Sequence, residues 1–179
     1  MTTTNPGSYV ELDDGRPAVR FERVYDHPIA DVWPLVSDPA ELAHWFPFPE
    51  ITVDLTAGGE ITFAGDPNMP DMKITGRVVA VDAPRHLSFT WGGDELRFDL
   101  EPLGDRRTRL TLTNVLESAD TAARNAAGWD VCLLALDARA QDGSFDAPHT
   151  GATPQWEKLY EEYVAAGMPS GAPIPGRDA

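Results

Sequence analysis

The chain has 179 residues, 42% of them hydrophobic, and its 29 Asp and Glu against 14 Lys and Arg give a formal net charge of −15 at pH 7. A chain near this length hides roughly two-thirds of its unfolded surface as one domain, and the single Cys132 excludes an internal disulfide. The acidity argues against nucleic acid and anionic membrane surfaces, which call for clustered Lys and Arg; neither a membrane-length apolar run nor a signal-like start is visible, so a cytoplasmic location is expected.

Residues 1–8 are polar and contain Gly and Pro, so they read as a flexible tail, as do residues 167–179. One domain is expected between them, over 9–166. Asp13-Asp14-Gly15-Arg16 separates two strand-like runs, 9–12 and 18–25, and its Asp-Gly pair tolerates the positive φ of a hairpin turn. Asp26-His27-Pro28 then places a capping acid before a Pro suited to a first helical turn, and Ile29, Val32, Trp33 and Val36 follow at helical spacing. Pro34 cannot donate to the carbonyl of Ala30, so an irregular turn is expected there. Ser37-Asp38-Pro39 with Glu41 starts a second short helix, which is expected to carry Leu42, Trp45 and Phe46 up to Pro47.

From residue 51 to 115 the apolar period changes to two, through Ile61 and Phe63, Leu87, Phe89 and Trp91, Leu96, Phe98 and Leu100, then Leu110, Leu112 and Asn114. Gly58-Gly59, Asp66-Pro67-Asn68, Ala83-Pro84, Gly92-Gly93 and Leu103-Gly104-Asp105 punctuate it, which predicts about six consecutive antiparallel strands. A helical period returns over 119–140, where Ala122, Ala126, Trp129, Leu133, Leu136 and Ala140 share one face. Asp120, Arg124, Asp130 and Asp137 are assigned to its solvated face. An amphipathic helix of this length must lie on the sheet, so the two form one core. After a loop, Thr153-Pro154 starts a last helix that Gly167 stops.

Phe21-Glu22-Arg23, Val32-Trp33, Ser37-Asp38-Pro39, Glu41-Leu42 and Trp45-Phe46-Pro47 resemble the opening of the START-like (SRPBCC) superfamily. Within it, Gly128-Trp129 with Cys132-Leu133 and the stretch from Trp156 to Tyr163 look like the bacterial branch named after the activator of Hsp90 ATPase. The resemblance covers about residues 9–164. It implies an α+β helix-grip fold, in which a curved antiparallel sheet wraps a long C-terminal helix and encloses a cavity that often holds apolar ligands. Stimulation of Hsp90 is not expected, because an acidic surface offers no evident clamp for another acidic protein.

Candidate ligand-binding residues are the aromatics Trp45, Phe46, Phe89, Trp91, Phe98 and Trp129, with Leu133 on the same helical stripe and Asn114 and Asn125 as orienting polar groups. Large aromatics in such a domain are ordinarily core, and such amides ordinarily bond to neighbouring loops. Trp129 is favoured as a cavity wall because Gly128 beside it suggests a close approach. His27, His44, His86 and His149 lack metal-ligand spacing, so neither metal nor cofactor is expected. Ser144, Asp146 and His149 have triad residue types but no nucleophile elbow. Cys132, without a neighbouring Lys, reads as inert. The leading expectation is a binder of a small apolar molecule. A polyketide cyclase-like enzyme would need a buried acid or base, a chaperone- or stress-related interaction module an exposed apolar patch, and homodimerisation stays open.

Overall fold

The computed structural model describes residues 3–66, 69–142 and 153–174. The elements are β1 (Thr3–Thr4), β2 (Ser8–Glu11), β3 (Pro17–Tyr25), α1 (Ile29–Ser37), α2 (Pro39–Leu42), β4 (Glu50–Val53), β5 (Glu60–Ala64), β6 (Ile74–Asp82), β7 (His86–Trp91), β8 (Asp94–Pro102), β9 (Thr108–Val115), a short 3-10 turn (Ala119–Thr121), α3 (Ala122–Asp142) and α4 (Pro154–Ala165). The strands form one curved antiparallel sheet in the order β1-β3-β9-β8-β7-β6-β5-β4, with β2 also paired to β3.

Register explains the core. Phe21 faces Leu112, Leu112 faces Phe98 and Phe98 faces Leu87, while a neighbouring row runs Val19, Asn114, Leu96 and Phe89. Because side chains alternate across a strand, these rows share the inner face, where α3 buries Ala122, Ala126, Trp129, Leu133 and Leu136. The same alternation puts Arg23 inward with Val19, Phe21 and Tyr25 on β3, while Arg20 and Glu22 face out.

The short helices depart from expectation in their ends. Asp26 does not cap α1; the N-cap is Pro28, without a side-chain hydrogen bond, and Asp26 instead lies 3.2 Å from Arg107. Pro34 sits inside α1, and Ser37 Oγ donates to the carbonyl of Trp33. Asp38 caps α2 by accepting from Ala40 N–H. That helix ends at Leu42, so Trp45 and Phe46 stand on the following turn, where both amides donate to Leu42 O. Arg139 of α3 forks onto both oxygens of Glu41, at 2.9 and 3.0 Å, and ties this turn to the long helix.

Described residues near both ends of the chain bond to the domain. Thr3 and Thr4 pair with Val24 and Arg23, and Gly7 passes so close to Phe21 that a Cβ would lie 2.4 Å from its ring. After Gly167, at φ 91°, Met168 N–H returns to Tyr163 O, Ala123 N–H donates to Pro169 O and Arg124 donates to Pro173 O. Ser144, Asp146 and His149 lie outside the described residues.

Gly128 lies on α3 where it faces Trp156 of α4. A Cβ there would meet only Trp156 Nε1, at an ordinary 3.8 Å, so no close approach requires glycine. Gly128→Ala therefore raises the unfolding free energy by about 0.5–1 kcal/mol through helix propensity. Urea denaturation measures this, and a loss of stability would show that the glycine is kept for space.

Candidate functional site

The sequence-predicted aromatics meet. Phe46, delivered by the turn after α2, contacts Trp45, Phe63, Phe89, Trp91 and Trp129 with ring centroids 5.2–6.4 Å apart. Trp91 and Trp129 lie 5.5 Å from each other, and Phe98 joins through Trp45 and Phe89. Tilted and edge-to-face arrangements dominate, as the ring quadrupoles favour. Phe48 and Phe63, which the sequence reading did not single out as site residues, complete the cluster. Leu133 is buried in the same core. Of the nine candidates only Trp91 and Asn125 keep partial exposure, so this end of the cluster is the one nearest solvent.

The two amides are held together rather than spread along the loop. Asn114 is polar on the inner face of the sheet, and its Oδ1 accepts from Trp129 Nε1 at 3.1 Å and from Asn125 Nδ2 at 3.0 Å. Its Nδ2 donates to Asp94 Oδ2 at 2.9 Å, an oxygen that also accepts from Asn125 Nδ2. Asp94 Oδ1 takes Glu117 N–H. Asp94 is thus the anchor of the network. The signal for it was position, because the tight Gly92-Gly93 hairpin pairs Trp91 with Asp94.

Indole donors separate the tryptophans. Trp45 Nε1 donates to Leu35 O at 2.8 Å and Trp129 Nε1 to Asn114. Trp91 Nε1 is buried and has no hydrogen-bond partner in the structure. Leaving such a donor unpaired costs about 1–3 kcal/mol, so it marks a place that asks for an acceptor.

A second polar constellation lies under α3 and was missed. Arg23, 1% exposed, points its Nε at Asp137 Oδ2 (3.4 Å) and its Nη2 at Asp130 Oδ1 (3.7 Å). Its Nη1 donates to Asn5 O and Glu22 O. Tyr25 donates to Asp137 Oδ1 at 2.8 Å, and Tyr163 donates to Asp130 Oδ2 while accepting from Gly7 N–H. Asp130 and Asp137 are therefore buried, not solvated. Burial raises both carboxyls above the usual carboxylate range, against the Tyr hydroxyls and Arg23, which pull them down. Burial also pushes the Cys132 thiol up to about 12.

The architecture defines a helix-grip domain of the START-like class. The chain belongs to the family described as activator of Hsp90 ATPase homolog 1-like protein, whose model matches residues 26–141. No curated protein sequence matches it significantly. Among solved structures it is similar to CalU16 from Micromonospora echinospora, at 22% identity and TM-score 0.68, covering 93% of this chain and 92% of that one. It is similar also to EF2215 from Enterococcus faecalis, a conserved protein of unknown function, at 23% identity and TM-score 0.70, covering 89% and 91%. A Bordetella parapertussis protein encoded by BPP1335 matches at 23% identity and TM-score 0.63, covering 92% and 94%. These likenesses are likenesses of fold.

Two predictions follow from the buried charges. Arg23→Met leaves two buried carboxylates without a cation and destabilises by about 3–5 kcal/mol, while adding Asp130→Asn and Asp137→Asn recovers most of the loss. Chemical denaturation of the three proteins measures this, and equal stability of the single and triple variants would refute it. Carboxyls raised above their ordinary 3.8 bind more protons folded than unfolded, so their contribution to stability is lost as pH rises. The stability of the parent protein relative to Asp130→Asn/Asp137→Asn accordingly falls as pH rises above about 4; a difference that grows would reverse the sign.

Proposed function

We propose that the domain is a cytoplasmic binder of a small apolar or aromatic molecule, held against the aromatic cluster between sheet and α3 and entered from the Trp91 and Asn125 end. The observation that carries the reading is the buried, unpartnered Trp91 indole N–H beside the rings of Phe46, Phe48 and Trp129. Flat hydrophobic guests gain from such rings, and one fixed donor orients a guest carrying a carbonyl or ether oxygen. The Asp94–Asn114–Asn125 network supports the site by fixing Trp129, the ring opposite Trp91. An enzymatic role needs a titratable group free to move a proton. At this end both oxygens of Asp94 already accept, from Asn114, Asn125 and Glu117, and the Glu117 carboxylate lies against Gly93.

Tryptophan fluorescence titration with 2-acetylnaphthalene and with naphthalene tests the reading. The ketone saturates and binds tighter than the hydrocarbon. Trp91→Phe keeps an aromatic ring but removes the donor, and it weakens the ketone about 5–10-fold with little change for naphthalene, the size of one hydrogen bond. Absence of saturable binding by either probe, or equal loss for both in the variant, overturns it.

A further inference from the structure

A cavity of about 370 Å³ lies between the N-terminal segment, α3 and α4, lined by none of the aromatic-cluster residues. Its apolar wall comes from Tyr9, Leu159 and Met168, and its polar groups are Asp130, Glu162 and the Tyr163 hydroxyl. No Lys or Arg is among the residues lining it.

Asp130 is the informative member. It is 8% exposed, and its Oδ2 is satisfied by Tyr163, but its Oδ1 receives no hydrogen bond: the nearest cationic nitrogen, Arg23 Nη2, stands 3.7 Å away and is itself without a hydrogen-bond partner. Arg23 is shared, since the same guanidinium also faces Asp137. One buried cation thus serves two buried carboxylates; with both ionised the triad carries one excess negative charge, and of its members Asp130 lines the cavity. Glu162, whose Oε1 lies 3.9 Å from the exposed Lys158 Nζ, adds a second carboxylate at the rim. Buried charge is costly unless paired, and a donor entering from the cavity would supply both the missing hydrogen bond and the missing positive charge.

We propose that this cavity is a second binding site, distinct from the aromatic cluster, for a small organic ammonium ion: its N–H donates to Asp130 Oδ1, Glu162 attracts it at the rim, and its apolar body rests on Tyr9, Leu159 and Met168. The tyrosine faces add a cation–π component. The site selects a cation over its neutral isostere, because the uncharged analogue leaves the excess carboxylate unmatched.

NMR titration of the full, isotope-labelled chain with benzylamine and with benzyl alcohol tests this. Benzylammonium is expected to saturate with shifts at the amides of Gly7, Tyr163 and Met168, and benzyl alcohol to bind at least about tenfold more weakly. Glu162→Gln, at an exposed position that leaves folding intact, weakens the amine about threefold or more and leaves the alcohol unchanged; Asp130→Asn removes the preference for the amine. Trp91→Phe leaves amine binding unchanged. Equal affinity for both probes, absence of saturation, or shifts confined to Trp91 and Asn125 would overturn the proposal, the last outcome assigning the amine to the aromatic cluster.

Discussion

One guanidinium fixes how the long helix sits on the sheet. Arg23 projects from the inner face of β3 and reaches Asp130 and Asp137, two turns apart on α3, so the helix is held at two levels by one strand residue. An apolar stripe of Ala and Leu slides or rotates at small cost, whereas a buried cation tolerates only arrangements that keep its carboxylates in reach. Such a triad adds little net stability over apolar packing, and its value here is register. Tyr25 and Tyr163 reinforce it by occupying the remaining carboxylate oxygens, which brings α4 into the same arrangement.

The N-terminal half of α3 is also fixed by side-chain amides that share one carboxylate. Trp129 donates to Asn114, and Asn114 and Asn125 share Asp94, so an inward polar residue of β9 is satisfied by the helix it faces. With both parts pinned, the ring of Trp129 stands at a set distance from Phe46 and Trp91. The aromatic cluster is therefore organised by polar bonds at its border as much as by the packing of rings within it.

Much of this was legible in the sequence, for physical reasons. Alternating apolar residues between Gly- and Pro-rich turns specify hairpins, and hydrophobic steps of three and four specify α3, because both patterns follow from backbone periodicity alone. The convergence of Trp45, Phe46, Trp91 and Trp129 followed from placing that stripe on the strands' inner face. Polar pairing was not legible in the same way. Asp130 and Asp137 fall beside the apolar stripe, where a carboxylate ordinarily faces water, and only the three-dimensional position of Arg23 turns them inward. The phase of Arg23 with Val19, Phe21 and Tyr25 was the available clue. The part played by Asp94 was equally hidden, since composition reports the average habit of a residue and not the donor it meets.

Cys132 gives this arrangement an internal reporter. The thiol is the chain's only one, sits on α3 at the helix–sheet boundary and is kept protonated by burial. Alkylation by an added electrophile must wait until the helix lifts from the strands, so the speed of that reaction reads the frequency of opening in the unmodified molecule. A guest lodged against the neighbouring rings would slow the same clock.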